Sequence, residues 1–220
     1  AACREGNVRA VQYFLDKDNF DVNEQFISGG SGTYIHGLFL AAQNGHAEVV
    51  QRLVSAGAKV NRTWDSATPL FQAAQNGHAE VVQILVSAGA DLNKTCNAAT
   101  PLFQAVQNNH TEVVQVLVNA DAELNKTWNN VTPLYQAAQN GHAEMVQILV
   151  NAGADLNTIR NGITPLFQAT QNGHAEVVQI LVSAGADLNK TCNAITPLFQ
   201  AAHEGHAEVV QILVNAGADL

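Results

Sequence analysis

Charge and sulfur are scarce in this chain, and each shortage removes a class of function. Only 13% of its 220 residues are Asp, Glu, Lys or Arg, and its three cysteines, Cys3, Cys96 and Cys192, form no CxxC pair. An odd set without paired spacing fits a reducing compartment better than a disulfide framework, which makes the cytosol the expected location. Ten basic residues face nineteen acidic ones, a net charge of −9, and a field of that sign argues against nucleic acid as a partner. No uninterrupted apolar run approaches the roughly 18 to 20 residues of a membrane span, so no membrane partner is expected either. There is no HExxH, phosphate loop, dinucleotide fingerprint or nucleophile elbow, and so no catalytic residue, metal ligand or cofactor is assigned. What remains is 47% hydrophobic, ample for a buried core.

Proline is scarce too, and its placement is the strongest signal in the chain. All five prolines, Pro69, Pro101, Pro133, Pro165 and Pro197, sit in a Thr-Pro-Leu triplet repeated every 32 residues. Fixed self-similarity of this length marks a repeat architecture. In the copy beginning at Thr68, a threonine N-cap and a first-turn proline start a short helix that runs to about Asn76 and ends at Gly77 in a left-handed conformation. His78-Ala79-Glu80 opens a second helix, to which Val81, Val82, Ile84, Leu85 and Val86 give an apolar face, and Gly89 closes it. A lone helix pair of this kind cannot cover its own apolar surface, so neighbouring pairs must stack.

The residues TPLF, AAQNGHAEVVQIL and GADLN resemble the ankyrin pattern over almost the whole chain. That resemblance implies an all-α ankyrin-repeat solenoid of helix-turn-helix repeats with short hairpin fingers, about seven helix pairs in one array. The expected divisions are a divergent first repeat over 1–23, a long-fingered second over 24–61, and 32-residue repeats starting near 62, 94, 126, 158 and 190. Several departures stand out. The repeat is one residue shorter than the usual 33. Only Asn161-Gly162 keeps the Asn-Gly pair that favours a tight turn, whereas Ser66, Ala98, Asn130 and Ala194 hold the glycine position elsewhere, so those fingers are expected to turn differently. An aromatic row, Phe71, Phe103, Tyr135, Phe167 and Phe199, replaces the family histidine, and it reads either as core or as the floor of a ligand groove.

The resemblance places partners on the concave face, made of finger tips and the exposed side of each first helix. Core positions barely change between repeats, while one finger position reads Trp64, Cys96, Trp128, Arg160 and Cys192. Trp64 and Trp128, taken as exposed, are the foremost candidates because tryptophan is enriched at binding hot spots, and Arg160 joins them; the alternative is packing against a neighbouring finger. The turn residues Asp65, Asn97, Asn129, Asn130 and Asn161 complete the tips. On the first helices, Gln75-Asn76, Gln107-Asn108, Gln139-Asn140 and Gln171-Asn172 form a row of amides suited to an extended peptide backbone, or simply a solvated face. Arg62, Lys94, Lys126 and Lys190 draw a basic line that could receive an acidic segment. In the second repeat, Phe26 and Tyr34 flank a Gly/Ser-rich tip and read as aromatic anchors of a mobile loop or as a tolerated insertion. The histidines at 46, 78, 110, 142, 174 and 206 fall in separate repeats, which suits a turn or capping role rather than a shared metal.

The function that follows is a protein-protein interaction module for a peptide segment or a folded partner. Two alternatives stand beside it: the substrate-targeting domain of a larger enzyme or effector, and a structural spacer. Both ends read as interrupted repeats, so the chain is expected to be a fragment, with end-to-end association if its ends are uncapped. Near-identical repeats also resemble ankyrin-repeat effectors of intracellular bacteria, which would place it in host-cell cytosol.

Overall fold

Each regular repeat starts its first helix with a threonine. Thr68, Thr100, Thr132, Thr164 and Thr196 are extended, and each accepts through Oγ1 a hydrogen bond from the backbone N–H three residues on, at 3.1 or 3.2 Å. The proline that follows has no N–H to leave unsatisfied there. A cap of this kind is worth about 1 kcal/mol.

The computed structural model describes residues 1–28 and 33–219, and of 25–28 and 33–35 the backbone. Among the described residues are seven consecutive helix pairs, the all-α ankyrin-repeat arrangement expected: α1 (Ala2–Glu5) with α2 (Val8–Leu15), α3 (Gly37–Gln43) with α4 (Ala47–Ser55), α5 (Pro69–Gln75) with α6 (Ala79–Ser87), and α7 (Pro101–Gln107) with α8 (Thr111–Asn119). Then follow α9 (Pro133–Asn140) with α10 (Ala143–Asn151), α11 (Pro165–Gln171) with α12 (Ala175–Ser183), and α13 (Pro197–His203) with α14 (Ala207–Asn215). The second repeat's long finger is an antiparallel hairpin of β1 (Gln25–Ser28) and β2 (Thr33–His36), with Gln25 opposite His36 and Ser28 opposite Thr33. Its glycine-rich tip, Gly29 to Gly32, lies outside the described residues.

Two compact units result, Ala1–Ala122 and Glu123–Leu220. In the first, α3, α5 and α7 pack side by side, as do α4, α6 and α8; in the second, α9, α11 and α13 do the same beside α10, α12 and α14. The apolar face of α6 is narrower than its composition suggests. Val81, Val82 and Leu85 are fully buried, while Ile84 and Val86 are only half-buried, because at 100° per residue they sit on the shoulders of the stripe.

Within each unit, polar side chains staple one repeat to the next. The last turn of a first helix leaves carbonyls without intrahelical partners. His46 Nε2 donates to Arg4 O at 2.8 Å, His78 to Gln43 O at 3.1 Å and His110 to Gln75 O at 3.0 Å; in the second unit, His174 donates to Gln139 O and His206 to Gln171 O, both at 3.1 Å. A carbonyl only accepts, so Nε2 carries the hydrogen. The ring fits because the preceding repeat has glycine beneath it. Gly77 has φ +78°, and a Cβ there would stand 2.6 Å from His110 Nδ1. A second ladder runs through the Asp-Leu-Asn segment: Asn61 Oδ1 accepts from Asp91 N–H at 2.7 Å, while Asn125, Asn157 and Asn189 accept from the N–H groups of Asp155, Asp187 and Asp219 at 3.0 Å.

The fingers correct one expectation. All five regular fingers make the same two-residue turn, closed by mutual backbone bonds such as Trp64 with Ala67 and Cys96 with Ala99. Both central residues have positive φ throughout: Asp65 and Ser66, Asn97 and Ala98, Asn129 and Asn130, Asn161 and Gly162, Asn193 and Ala194. A two-residue loop closed by one antiparallel backbone pair favours this primed turn, and the helices on either side hold it even on alanine.

Three outcomes are expected. Gly77→Ala should lower unfolding free energy by about 2 to 4 kcal/mol in denaturant titration, from left-handed strain and loss of the His110 staple. Ala98→Gly and Ala194→Gly should each raise it by about 0.5 to 1 kcal/mol, since relief of the left-handed penalty exceeds the added freedom of the unfolded chain. Finally, burial holds His142 below the ordinary imidazole range, helped by His174, and does the same to His36, helped by Arg62. Their neutral forms are favoured in the folded state, so the unfolded chain binds more protons below about pH 6.5. The stability is present above that pH and lost as acid carries it toward the lower folded values. Melting temperature should fall between pH 7.5 and 5.5, and less steeply in His142→Gln.

Candidate partner-binding surface

The frame just described consumes part of the surface that the sequence offers to a partner. Asn76 Nδ2 donates to Gln43 O, Asn108 Nδ2 to Gln75 O and Asn172 Nδ2 to Gln139 O, each at 2.8 Å. These carbonyls are the ones the histidines use. The asparagine half of the amide row is therefore largely structural, although Asn140 differs, accepting from Gln136 Nε2 through Oδ1 at 3.1 Å. Of the glutamines, Gln107 and Gln171 are exposed, and Gln75 and Gln139 are half-buried.

The aromatic row resolves in favour of core. Phe71, Phe103, Tyr135 and Phe167 are buried, and Phe39 fills the same place in the second repeat. Phe199 departs, being 60% exposed and stacked on His203 with ring centroids 6.3 Å apart. Trp64 is half-buried rather than exposed, and its indole meets the Phe39 ring edge-on at 5.2 Å. It packs against the first helix of the preceding repeat. Trp128 is half-buried as well, as is Arg160, whereas Cys96 and Cys192 are buried. The variable finger position thus faces inward along the hairpin's root. The turn residues Asp65, Asn97, Asn129, Asn130 and Asn161 are exposed. The side chains of Phe26 and Tyr34 lie outside the described residues; their backbones pair with Ile35 and Ile27.

One feature of the second unit escapes the sequence reading. Between the fingers of its first two repeats is a hollow of about 350 Å³, lined by Asn125, Thr127, Asn130, Thr132, Tyr135, Thr158, Ile159, Arg160 and Asn161. The Tyr135 hydroxyl donates to Gln168 Oε1 at 2.8 Å, and the Arg160 guanidinium stands 5.8 Å from the Tyr135 ring centroid. Burial pushes the Tyr135 hydroxyl above its ordinary range, opposed by Arg160. Thr132 and Thr158 bring their hydroxyls within 3.2 Å. Three coincident substitutions signal this hollow in the sequence: the one tyrosine of the aromatic row, the one arginine of the variable finger position, and threonine at 158, where other repeats have Arg62, Lys94, Lys126 or Lys190.

The first unit has a hollow of about 280 Å³ with apolar walls that include Cys3, Val11, Phe14, Phe20, Leu40 and Leu53. Burial raises the Cys3 thiol above its ordinary value. Among the described residues, no helix is long and apolar enough to cross a membrane, and no three His, Cys, Asp or Glu side chains gather as a metal site would require.

Known proteins share this frame. No curated protein is detectably similar to the chain, but solved structures are. A crystal structure of an ankyrin repeat domain from Acinetobacter baumannii is 29% identical, covers 83% of this chain and 98% of its own, and superposes with a TM-score of 0.78. The human ASB11 ankyrin repeat domain is 27% identical, covers 100% of this chain and 97% of its own, and has the same TM-score of 0.78. The family model described as ankyrin repeats (3 copies) matches residues 1–96, 92–160 and 154–220. Those segments run the length of the chain, and with the stapled helix pairs they make it a member of the ankyrin-repeat family.

Proposed function

We propose that the chain is a recognition module that holds a peptide segment or a folded partner against its finger tips and the exposed side of its first helices. Ankyrin-repeat domains are in general protein-protein interaction modules, typically non-catalytic. One observation carries the more specific reading. The repeated histidines, threonines and most of the asparagines hold the frame, while the side chains of the exposed Gln107 and Gln171 stay outside the histidine and asparagine ladders, Gln171 lending only its backbone carbonyl to His206. Within each unit, a stapled frame that leaves such an amide outside itself loses little freedom when it binds, which favours affinity. The three thiols stay unpaired, which supports assignment to a reducing compartment, the cytosol.

The alternatives are carriage of a catalytic domain to its substrate and a purely structural spacer. To separate recognition from spacing, partners are captured from lysate with the parent chain, with Gln107→Arg/Gln171→Arg on the first helices, and with Gln83→Arg/Gln147→Arg on the second helices, where both glutamines are exposed. The first-helix pair should weaken capture of a specific partner at least tenfold, about 1.4 kcal/mol, with unchanged melting. The second-helix pair should leave it intact. Equal capture by both variants, or no specific partner from several lysates, would favour a spacer.

A further inference from the structure

Resting on the recognition reading, we propose that the hollow around Arg160 is a subsite for a single carboxylate, the side chain of one Asp or Glu in the bound segment. Arg160 is one of three basic residues between Glu123 and Leu220, against eight acidic ones. Lys126 already pairs with Glu123 at 3.5 Å. No acidic residue lines the hollow, so Arg160 faces it without a carboxylate of its own. A guanidinium presents a planar fork of donors suited to two carboxylate oxygens.

The neighbours of Arg160 prepare it for that task. Gln168 is buried, and its Oε1 takes the Tyr135 hydroxyl hydrogen. The phenol oxygen is thereby left as an acceptor, turned toward the cation beside it. Gln168 is held in turn through its Nε2, which donates to Asn172 Oδ1 at 3.3 Å. The threonine pair supplies a further donor. Thr132 Oγ1 already accepts from Tyr135 N–H, and of the two hydroxyl hydrogens of Thr132 and Thr158 only one is used between them, so one remains for a ligand. Exposed Asn130 and Asn161 add amide donors at the rim. The volume, about 350 Å³, lies at the small end of ligand sites and suits one side chain rather than a metabolite.

The surrounding charge sharpens the selectivity. A net charge of −5 in this unit, eight acids less three bases, repels an acidic tract, whereas the hollow attracts one acid at one place. Thr158 creates the room, since a lysine at that position would fill the mouth with a second cation.

The test uses the whole chain and a probe that needs no partner. N-acetyl-glutamate N-methylamide and its glutamine counterpart are titrated separately while amide and arginine side-chain NMR signals are followed. The glutamate compound should give saturable shifts at Arg160 Nε–H and in residues 127–132 and 158–161, with the glutamine compound at least tenfold weaker. Arg160→Gln should abolish the response, Tyr135→Phe should weaken it, and Lys190→Gln, an exposed cation of the same unit, should leave it unchanged. Equal shifts from both compounds, a response that survives Arg160→Gln, or no saturable shift would overturn the subsite. Loss of the subsite leaves the module reading intact if lysate partners still depend on Gln107 and Gln171; failure of that capture together with a clear glutamate response would overturn the reading and retain the site.

Discussion

The structure depends on a backbone carbonyl that its own helix cannot satisfy. Seven-residue first helices such as α5 and α7 are too short to be stable alone, and each would leave its last carbonyls open. The histidine of the following repeat closes one of them, and in several repeats an asparagine amide reaches the same oxygen. The staple needs three things at fixed separation: the histidine, the carbonyl 35 residues earlier (42 across the long finger) and a glycine with no Cβ to obstruct the ring. These requirements explain why the Gly-His pair recurs. At 109 the glycine is replaced by asparagine, which still adopts φ 59°, as asparagine tolerates better than other side-chain-bearing residues. His142, the first such histidine of the second unit, has a buried Nδ1 without a hydrogen-bond partner.

Helix pairs, caps and the left-handed glycines were legible because each is written locally. Thr-Pro fixes a start and Gly fixes a stop, and no distant residue can easily override either. The finger turns were misjudged for the opposite reason. Their geometry is dictated by the single backbone pair that closes each turn and by the helices that anchor both ends, so Ala98 and Ser66 adopt a conformation that their own preferences oppose. Trp64 was misplaced because indole exposure depends on Phe39, a residue of another repeat. The amide row was half legible: the pattern of Gln and Asn was plain, but nothing local says that the asparagine amide is already bonded to a carbonyl 33 residues back. The Arg160 hollow could be found only by comparing three positions in two repeats at once.

The residues that build the frame are therefore separable from those that vary. Histidine, asparagine and threonine side chains build the frame by bonding to main chain, and the aromatic row fills it. What varies between repeats lies at the finger roots and turns. Around Arg160 the variation is concerted, since Tyr135, Thr158 and Arg160 change together, and it exchanges an apolar finger root for a polar one without disturbing the Thr132 cap or the turn at Asn161 and Gly162.

Because the staple's acceptor is main chain, the identity of the residue that offers it is immaterial. Arg4 serves His46 as well as Gln43 serves His78. Whole blocks of 32 residues can in consequence be copied, dropped or exchanged by recombination and still find a competent neighbour on either side. The length of the chain and the order of its finger chemistries can change in lineages without any new interface having to arise, so that this kind of protein can explore new partners by shuffling rather than by point substitution.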